Sequence, residues 1–205
     1  MTTNTISTRR LTVLALLAAI STVLMYFELP IPFMPPFLKL DISAVPVMIG
    51  SFMFGPIAGV TIAGLKAVIH LFSTQTGGVG ELADFLITGS FALTAGVIYH
   101  FYRSKAGARL AAICSIFVIT IVGCVANWFI LLPFYKNIMP IDAIIAACNA
   151  INPYVTDAAG YIWFGVLPFN LLKGSVVCLL TFVLYKRLST VIHHYTELDK
   201  KRKVQ

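Results

Sequence analysis

The sequence has few charged residues and lacks the common motifs of soluble enzymes. Asp, Glu, Lys and Arg make up 11% of its 205 residues, well below the roughly 25% usual in a soluble domain. There is no GxxxxGK[ST] phosphate loop and no HExxH motif, and the four cysteines and four histidines show neither a CxxC pair nor a metal-ligand spacing. Neither a disulfide framework nor a metal site is therefore supported, and the energy for any driven transport has to come from a partner or an ion gradient.

Long apolar stretches are what the chain has instead, since 59% of its residues are hydrophobic. A helix needs about 20 apolar residues to cross a bilayer, so this chain has room for six spans and no extramembrane domain. Prolines forbid helix between Leu29 and Pro36, and Gly55 and Pro56 separate two further stretches. We predict an all-α membrane protein with six transmembrane helices in a single domain, residues 1–205. The spans are expected at about residues 11–27, 42–54, 57–72, 82–101, 110–132 and 161–185, with a short surface helix at 141–151.

The basic residues predict the orientation in the membrane, because loops rich in Lys and Arg stay in the cytoplasm. Eleven of the fifteen basic residues fall before the first span, between the fourth and fifth, or after the sixth. With six spans these three segments share one side, so both termini are expected in the cytoplasm. This bias explains the net charge of +7 without a nucleic-acid partner.

One lysine, Lys173, stands in the middle of the sixth apolar stretch. An ammonium group near the bilayer midplane costs at least about 3 kcal/mol, so Lys173 should face a protein interior or a polar cavity. Asn170 lies one helical turn earlier on the same face. The pair predicts a site for a polar solute; the alternative is a structural role in which an acidic neighbour neutralises Lys173. An intramembrane enzyme with Lys173 as base and Asp84 or Asp157 as partner is disfavoured, because no nucleophile–base constellation accompanies them.

Five short strings are more informative together than apart. In chain order they are Phe37–Ser43, Val45–Gly59, Gly77–Leu82, Asn127–Pro133 and Leu167–Gly174. In that order and spacing they resemble the riboflavin-specific substrate-binding subunit, or S component, of the energy-coupling factor (ECF) vitamin transporters. The resemblance covers nearly the whole chain, and the last two strings point to riboflavin rather than to another vitamin.

The resemblance implies the ECF S-component fold in a bacterial cell membrane, and a function in riboflavin uptake rather than catalysis. Such a subunit captures vitamin from outside and docks on a coupling transmembrane protein, EcfT, and two ATPase subunits, which would supply the missing energy. It also implies that Ala15 and Ala19, an AxxxA pattern on the first span, pack on the coupling protein; packing within the bundle is the alternative. An S component for another vitamin, such as thiamin or a folate, and a riboflavin facilitator without ECF partners are the alternative functions.

The resemblance also places flavin-binding groups at Lys173 and Asn170. It further implies that the proline-rich loop containing Lys39, Leu40 and Asp41 covers the pocket. Prolines stiffen that loop and lower the entropy cost of ordering it over a ligand. A simple solvated connector is the other interpretation of this loop.

Three further positions are candidates for ligand contact. Asn127, near the outer end of the fifth span, offers an amide donor and acceptor to the edge of a flavin ring, or else a hydrogen bond between packed helices. Gly80 and Glu81 open the fourth span, where glycines let the backbone approach a ligand closely. Asp84 or Glu81 could instead pair with Lys66, which is the expected role of that lysine.

No cofactor is expected, and riboflavin is predicted as the transported ligand. Flavin mononucleotide is an alternative because Lys39 or Lys136 could meet its phosphate, although no arginine cluster demands one. One or two aromatic residues of the outer side could stack on the flat ring, and the sequence does not say which. These aromatic residues are Tyr26, Phe27, Phe33, Phe37, Trp128, Tyr135, Tyr154, Tyr161 and Trp163.

Overall fold

The fold is a helical bundle with one short β-hairpin, described in a computed structural model for residues 8–32, 34, 38–74, 76–138 and 140–202. Side chains are described for these residues except Arg9 and residues 186–202. The elements, in chain order, are α1 Thr8–Met25, β1 Leu29–Pro30, β2 Lys39–Leu40, α2 Ala44–Phe54, α3 Pro56–His70, α4 Val79–Phe101, α5 Lys105–Ala126, α6 Leu132–Lys136, α7 Ile141–Asn149, α8 Ala158–Gly160 and α9 Leu167–Arg202.

Three shorter turns extend these helices. A 3₁₀ turn, Leu71–Ser73, follows α3 directly. A π turn, Asn127–Leu131, joins α5 to α6, and a second π turn, Tyr161–Val166, joins α8 to α9. Each π turn widens the helix by one residue, and such turns are frequent at functional sites.

Four helical segments of the described chain are long and apolar enough to cross a membrane. They are Pro56–Ser73, Val79–Phe101, Lys105–Lys136 and Ala158–Tyr185. Two shorter apolar helices, Arg10–Met25 and Ala44–Phe54, occupy the places of the first two predicted spans. The structure therefore confirms a mostly helical chain with several membrane-length helices, whereas six complete crossings and the orientation of the termini stay predictions.

Local sequence explains where the helices begin and end. Gly55 takes a φ of 97° between α2 and α3, and Pro56 occupies the first turn of α3, where its missing N–H is not needed. Ser104 caps α5 by accepting a hydrogen bond from the backbone N–H of Gly107 at 3.0 Å. The Ser104 cap lets α5 begin several residues before the predicted span, because charged residues such as Lys105 are tolerated in the first turn of a helix.

The start of α1 and the turn between α2 and α3 meet at one end of the bundle, here called the basic end. Arg10 donates a hydrogen bond to the carbonyl oxygen of Phe54 at 2.9 Å. The ring of Phe52 packs edge-on against Tyr99 of α4 and Tyr185 of α9, with centroids 5.0 and 6.3 Å apart. The apolar core of this half includes Met48, Phe52, Phe91, Ile119 and Val177. Arg10 and the basic α4–α5 connection thus share one end.

The opposite end, here called the hairpin end, carries the chain between α1 and α2. Strands β1 and β2 pair antiparallel, with Leu29 opposite Leu40 and Pro30 opposite Lys39. The prediction that prolines exclude helix here is confirmed for the described residues of this segment, 29–32 and 34, but the hairpin itself was not predicted. Tyr26, at the end of α1, lies with its ring centroid 4.9 Å from that of His70 and shares a hydrogen bond with Ser73. The hairpin is therefore held beside the α3–α4 connection.

Candidate functional site

Lys173 and Asp41 form a buried ion pair where the end of the hairpin meets α9. The Nζ atom of Lys173 donates to Oδ2 of Asp41 at 2.6 Å, and both residues are only 7% exposed. The pair joins residues 132 positions apart in the sequence. The expectation that Lys173 faces the protein interior is confirmed. The acidic neighbour that was left open as an alternative is Asp41, itself a predicted ligand-binding residue.

A second ion pair is linked to the first through Ser43. Oδ1 of Asp41 accepts hydrogen bonds from the backbone N–H of Ser43, at 2.9 Å, and from the Ser43 hydroxyl. Nζ of Lys66 donates to Ser43 Oγ at 2.9 Å and lies 2.6 Å from Oδ2 of Asp84. The hydroxyl of Thr88 donates to the other Asp84 oxygen at 3.3 Å. The predicted pairing of Lys66 with Asp84 is thus present.

These groups form one buried charge network, defined as Asp41, Ser43, Lys66, Asp84 and Lys173. The network holds two ammonium groups and two carboxylates, so it is electrically balanced in its ionised form. Burial opposes ionisation of Asp41, but the nearby ammonium groups of Lys173 and Lys66 outweigh this effect and hold the pKa of Asp41 well below its usual range. Lys66 is completely buried, at 0% exposure. The network therefore places donors and acceptors of both charges in the interior without a net charge there.

The two predicted asparagines lie on facing helices, joined through Gly123. Nδ2 of Asn127 donates to the carbonyl oxygen of Gly123 at 2.9 Å. Asn170 packs on the same glycine so closely that a Cβ at Gly123 would lie 2.6 Å from its amide atoms. Nδ2 of Asn170 donates to the carbonyl oxygen of Val166 at 2.9 Å. Both asparagines are buried, so the polar faces of α5 and α9 share one interface.

Tyr161 fixes the orientation of the Asn127 amide. Its hydroxyl donates to Oδ1 of Asn127 at 3.0 Å, and Tyr161 is itself buried. The two residues open the two π turns of the chain's described part, so a hydrogen bond connects the turns at their first positions. The amide nitrogen of Asn127 is held by Gly123 and its oxygen by Tyr161. The positions of the amide nitrogen and oxygen of Asn127 are consequently fixed before a ligand approaches.

The hairpin covers an apolar cluster at the same end of the bundle. Leu38 is buried in this cluster, and Ile31 and Met34 pack against it. The cluster consists of Leu38, Leu132, Ile144, Cys148, Val155, Tyr161, Ile162, Val166 and Phe169. Lys39 points away from it and forms an ion pair with Glu28 at 2.7 Å, with both side chains nearly half exposed. Of the predicted loop residues, Asp41 joins Lys173, whereas Lys39 lies at the surface.

Gly80 and Glu81 belong to a separate hydrogen-bonded cluster in the α3–α4 connection. Nδ1 of His70 lies 2.9 Å from Glu81 Oε1, and the hydroxyls of Thr74 and Thr76 donate to Glu81 Oε2 at 2.8 and 3.1 Å. The backbone N–H of Gly80 donates to Thr76 Oγ1 at 3.0 Å. These bonds fix the connection between the two helices. Among the described contacts, none joins Gly80 or Glu81 to the buried charge network.

The side chains of Ala15 and Ala19 are exposed on α1, whereas Ala18 is buried against the bundle. The same face of the helix shows exposed Leu11, Leu16 and other large apolar side chains. Both alanines are therefore accessible to another helix and do not pack within the described bundle.

Most of the aromatic residues considered above face outward. Tyr26, Phe27, Trp128, Tyr154 and Trp163 are exposed, Tyr135 is partly buried and Tyr161 is fully buried. Phe33 and Phe37 lie outside the described residues. Among the described members of this set, Tyr161 is the one that contacts a predicted asparagine, Asn127.

A groove of about 540 Å³ runs along α7 at the hairpin end, bordered by Ile141, Asn149 and Val155–Ala158. It does not include Lys173, Asn170 or Asn127 among its lining residues. Within the described ranges, no group of three or more His, Cys, Asp or Glu residues could hold a metal ion. The buried polar groups, and not this groove, provide the chemistry that suits a small polar ligand.

The structure adds Ser43 to the predicted site and gives Tyr161, one of the aromatic candidates, a hydrogen bond to Asn127. Ser43 follows Asp41 at a spacing of two, at which an aspartate commonly accepts a hydrogen bond from the backbone. That spacing was a usable signal in the sequence. The hydrogen bond of Tyr161 gave no comparable signal, because its partner Asn127 lies 34 positions away.

Known proteins resemble this chain over nearly its whole length. The family model described as "ECF transporter, substrate-specific component" matches residues 9–185. The riboflavin transporter RibU of Staphylococcus aureus (strain TCH60) is 36% identical over 184 residues, which cover 90% of this chain and 92% of that protein. The riboflavin transporter FmnP of Bacillus subtilis (strain 168) is 27% identical over 185 residues, which cover 88% of this chain and 92% of that protein.

A solved structure described as "Structure and mechanism of the S component of a bacterial ECF transporter" has the same fold. Its TM-score with this chain is 0.72 at 34% sequence identity, and the match covers 90% of this chain and 97% of that one. Sequence and structure therefore agree that the chain belongs to the substrate-specific components, or S components, of ECF transporters.

Proposed function

We propose that this chain is the riboflavin-binding subunit of an ECF transporter and captures riboflavin at the outer face of a bacterial plasma membrane. Its similarity to two riboflavin transporters, RibU and FmnP, supports this substrate. As a member of a transporter family it is not an enzyme. The chain crosses the membrane six times in this proposal, with both termini and the basic end in the cytoplasm.

The observation that carries the proposal is the buried pair of Lys173 and Asp41 beside Asn170, beneath the hairpin. Riboflavin joins a flat, largely apolar ring system, with carbonyl and N–H groups along one edge, to a chain of hydroxyl groups. The apolar cluster at the hairpin end suits the ring, and the amides of Asn127 and Asn170 suit its polar edge. The charges of Lys173 and Asp41 suit hydroxyl groups, which both donate and accept hydrogen bonds.

Binding requires a rearrangement at the hairpin end. Lys173 and Asp41 satisfy each other, and Leu38 is packed in the apolar cluster. Riboflavin can reach these groups only when the hairpin lifts and the ion pair opens. The hairpin strands are only two residues long, so few backbone hydrogen bonds oppose this movement.

Release to the cytoplasm is assigned to partners in this proposal. EcfT docks on the exposed face of α1 around Ala15 and Ala19, where small side chains allow close helix approach. Two ATPase subunits supply the energy, since the sequence contains no phosphate-binding loop of its own. The lipid bilayer surrounds the remaining apolar faces.

The substrate is tested by titrating the purified chain in detergent with riboflavin while flavin fluorescence is measured. We expect saturable quenching of the flavin fluorescence, and an excess of thiamin or folate should not reverse it. Flavin mononucleotide serves as a second competitor, because Lys39 and Lys136, the two cations predicted to meet its phosphate, are both exposed. A protein that ignores riboflavin but binds another vitamin would show that the family assignment holds and the substrate does not.

A further inference from the structure

We propose that Lys66 is a positioning residue for ligand binding: it holds the charge of Asp41 when Lys173 turns from Asp41 to riboflavin. The inference rests on the proposed function, because it needs a ligand that engages Lys173. It assigns Lys66 of α3 and Asp84 of α4 a role in the site, although neither residue is predicted to contact the ligand. Lys66 acts through Ser43 and Asp41 and does not itself touch the ligand.

The geometry gives Asp41 two cations on opposite sides of one carboxylate. Oδ2 receives Lys173 directly, at 2.6 Å, whereas Oδ1 receives Ser43, whose hydroxyl accepts from Lys66 at 2.9 Å. The ammonium groups of Lys173 and Lys66 both favour the charged form of Asp41. Opening the first contact therefore leaves the second in place.

The position of Ser43 is fixed independently of Lys173. The hydroxyl of Ser21 on α1 donates to the carbonyl oxygen of Ser43 at 2.6 Å, and both residues are fully buried. Lys66 is anchored on its far side by Asp84 at 2.6 Å. This chain of contacts can stay in place while α9 and the hairpin change, because none of its members belongs to α9 or to the paired strands.

A reserve cation is needed because Asp41 lies in the interior. A buried carboxylate that loses its only cation either destabilises the protein or takes up a proton. With Lys66 in place, Asp41 stays ionised after Lys173 has turned to the ligand, so binding takes up no proton. Without Lys66, the same movement leaves Asp41 with the uncharged Ser43 alone, and a proton must accompany the ligand.

Among the described residues, the charged groups that act on this site lie on three helices and in the segment before the hairpin. Lys173 belongs to α9, Lys66 to α3 and Asp84 to α4, and Glu28 acts on Lys173 from before the hairpin. Among the described side chains of α1, Ser21 contacts the site, and it is uncharged. Proton uptake on binding can thus be assigned to Asp41 when Lys66 and Asp84 have been neutralised together.

The test compares Lys66→Met/Asp84→Asn with Asp84→Asn as a matched control. Replacing both charges avoids an unpaired buried ion in the double variant. The control Asp84→Asn keeps the Lys66 ammonium on Ser43, with Asp41 as its remaining carboxylate, and in both variants asparagine keeps an oxygen for the hydroxyl of Thr88. Riboflavin binding is measured by isothermal titration in buffers of different ionisation enthalpy, and by fluorescence across pH. Thermal unfolding shows that each variant is folded.

We expect wild type and Asp84→Asn to bind riboflavin without proton uptake, with affinities that change less than about twofold per pH unit. The double variant should take up close to one proton per riboflavin near neutral pH. Its affinity should then rise by up to about tenfold for each pH unit lowered, because proton uptake favours binding at low pH. A merely structural role of Lys66 would lower stability without this proton.

A ligand-free comparison keeps the inference testable if the double variant binds too weakly. In Lys173→Met, Lys66 should keep Asp41 ionised. The triple variant Lys173→Met/Lys66→Met/Asp84→Asn should instead show the infrared C=O stretch of a protonated carboxyl group. Adding Asp41→Asn to the triple variant should remove this band, which assigns it to Asp41. Binding without a proton in the double variant, or an ionised Asp41 in the triple variant, overturns the inference. Wild type that does not bind riboflavin refutes the proposed function, and the infrared comparison then decides the role of Lys66 separately.

Discussion

Gly123→Ala should weaken riboflavin binding in a chain that still folds, with a loss of stability of at most about 2 kcal/mol. A Cβ at position 123 would lie 2.6 Å from Cγ, Nδ2 and Oδ1 of Asn170, about 1 Å closer than an ordinary contact. The Asn170 amide must move by a similar distance, away from the carbonyl oxygen of Val166 that now accepts its hydrogen bond at 2.9 Å. The added methyl group thus displaces the Asn170 amide, which is a predicted ligand contact, although Gly123 itself is not one.

The expected magnitudes separate affinity from stability. Overpacking costs about 1–3 kcal/mol, whereas alanine in place of glycine favours the helix by roughly 1 kcal/mol, so the net loss of stability is at most about 2 kcal/mol. A misplaced hydrogen bond to the ligand costs about 1.4 kcal/mol, which corresponds to a tenfold rise in Kd. The assay is a riboflavin fluorescence titration combined with thermal unfolding in the same detergent.

Gly89→Ala is the matched control, because Gly89 is also a buried helical glycine. Its Cβ would meet only Phe85 at 3.8 Å, an ordinary contact, so riboflavin affinity should be unchanged. Equal affinity of Gly123→Ala and wild type would show that Asn170 does not face the ligand. An equal loss in both variants would show a general effect of alanine in these helices.

Three further predictions concern partner docking, Tyr161 and pH. Ala15→Trp should abolish riboflavin uptake into cells but leave riboflavin binding to the purified chain intact. The control Leu179→Trp, at an exposed position of α9, should support uptake. Survival of uptake in Ala15→Trp would contradict docking on α1. Tyr161→Phe should raise the Kd for riboflavin about tenfold, because Oδ1 of Asn127 loses its donor, and an unchanged Kd would remove Tyr161 from the site. The pKa of Asp41 is lowered in the fold, so its charge stabilises the protein above pH of about 4 and this contribution is lost only as pH falls further. The difference in unfolding temperature between wild type and Lys173→Met/Asp41→Asn, which removes both ions of the pair, should therefore be constant from about pH 5 to 8, and a change within that window would contradict the lowered pKa.

Apolar runs and helix breakers predicted most of the helices of this fold. The Gly55–Pro56 break and the proline-rich segment fall where the structure has a turn and a hairpin. These features depend on residues close in sequence, and local rules describe them well. The burial of Lys173 was equally predictable, because an ammonium group is costly anywhere in lipid.

The partners of the buried charges were harder to predict. Asp41 and Lys173 are 132 positions apart, and several acidic residues were equally plausible partners before the helices were placed. Glu81 illustrates the difficulty, since its side chain contacts the imidazole of His70 across the α3–α4 connection rather than Lys66. Such pairings depend on which helix faces pack together, and the composition of the sequence does not specify this packing.

The hairpin and the π turns were missed for related reasons. Two-residue strands leave no alternating pattern to detect, and the π turns at Asn127 and Tyr161 retain helical composition. The close contact of Gly123 with Asn170 likewise required the positions of α5 and α9. The predicted site residues could therefore be named individually, but their hydrogen-bonding partners could not.

The most direct measurement is a riboflavin titration of the purified, flavin-free chain and its Lys173→Met and Lys105→Met variants. Lys105 is exposed in the first turn of α5, so its variant controls for the loss of a positive charge. Wild type and Lys105→Met should quench flavin fluorescence with the same affinity, and Lys173→Met should bind about tenfold to hundredfold more weakly, as expected for a lost charged hydrogen bond. No quenching by wild type, or wild-type affinity in a folded Lys173→Met variant, would contradict a riboflavin site at the buried Lys173.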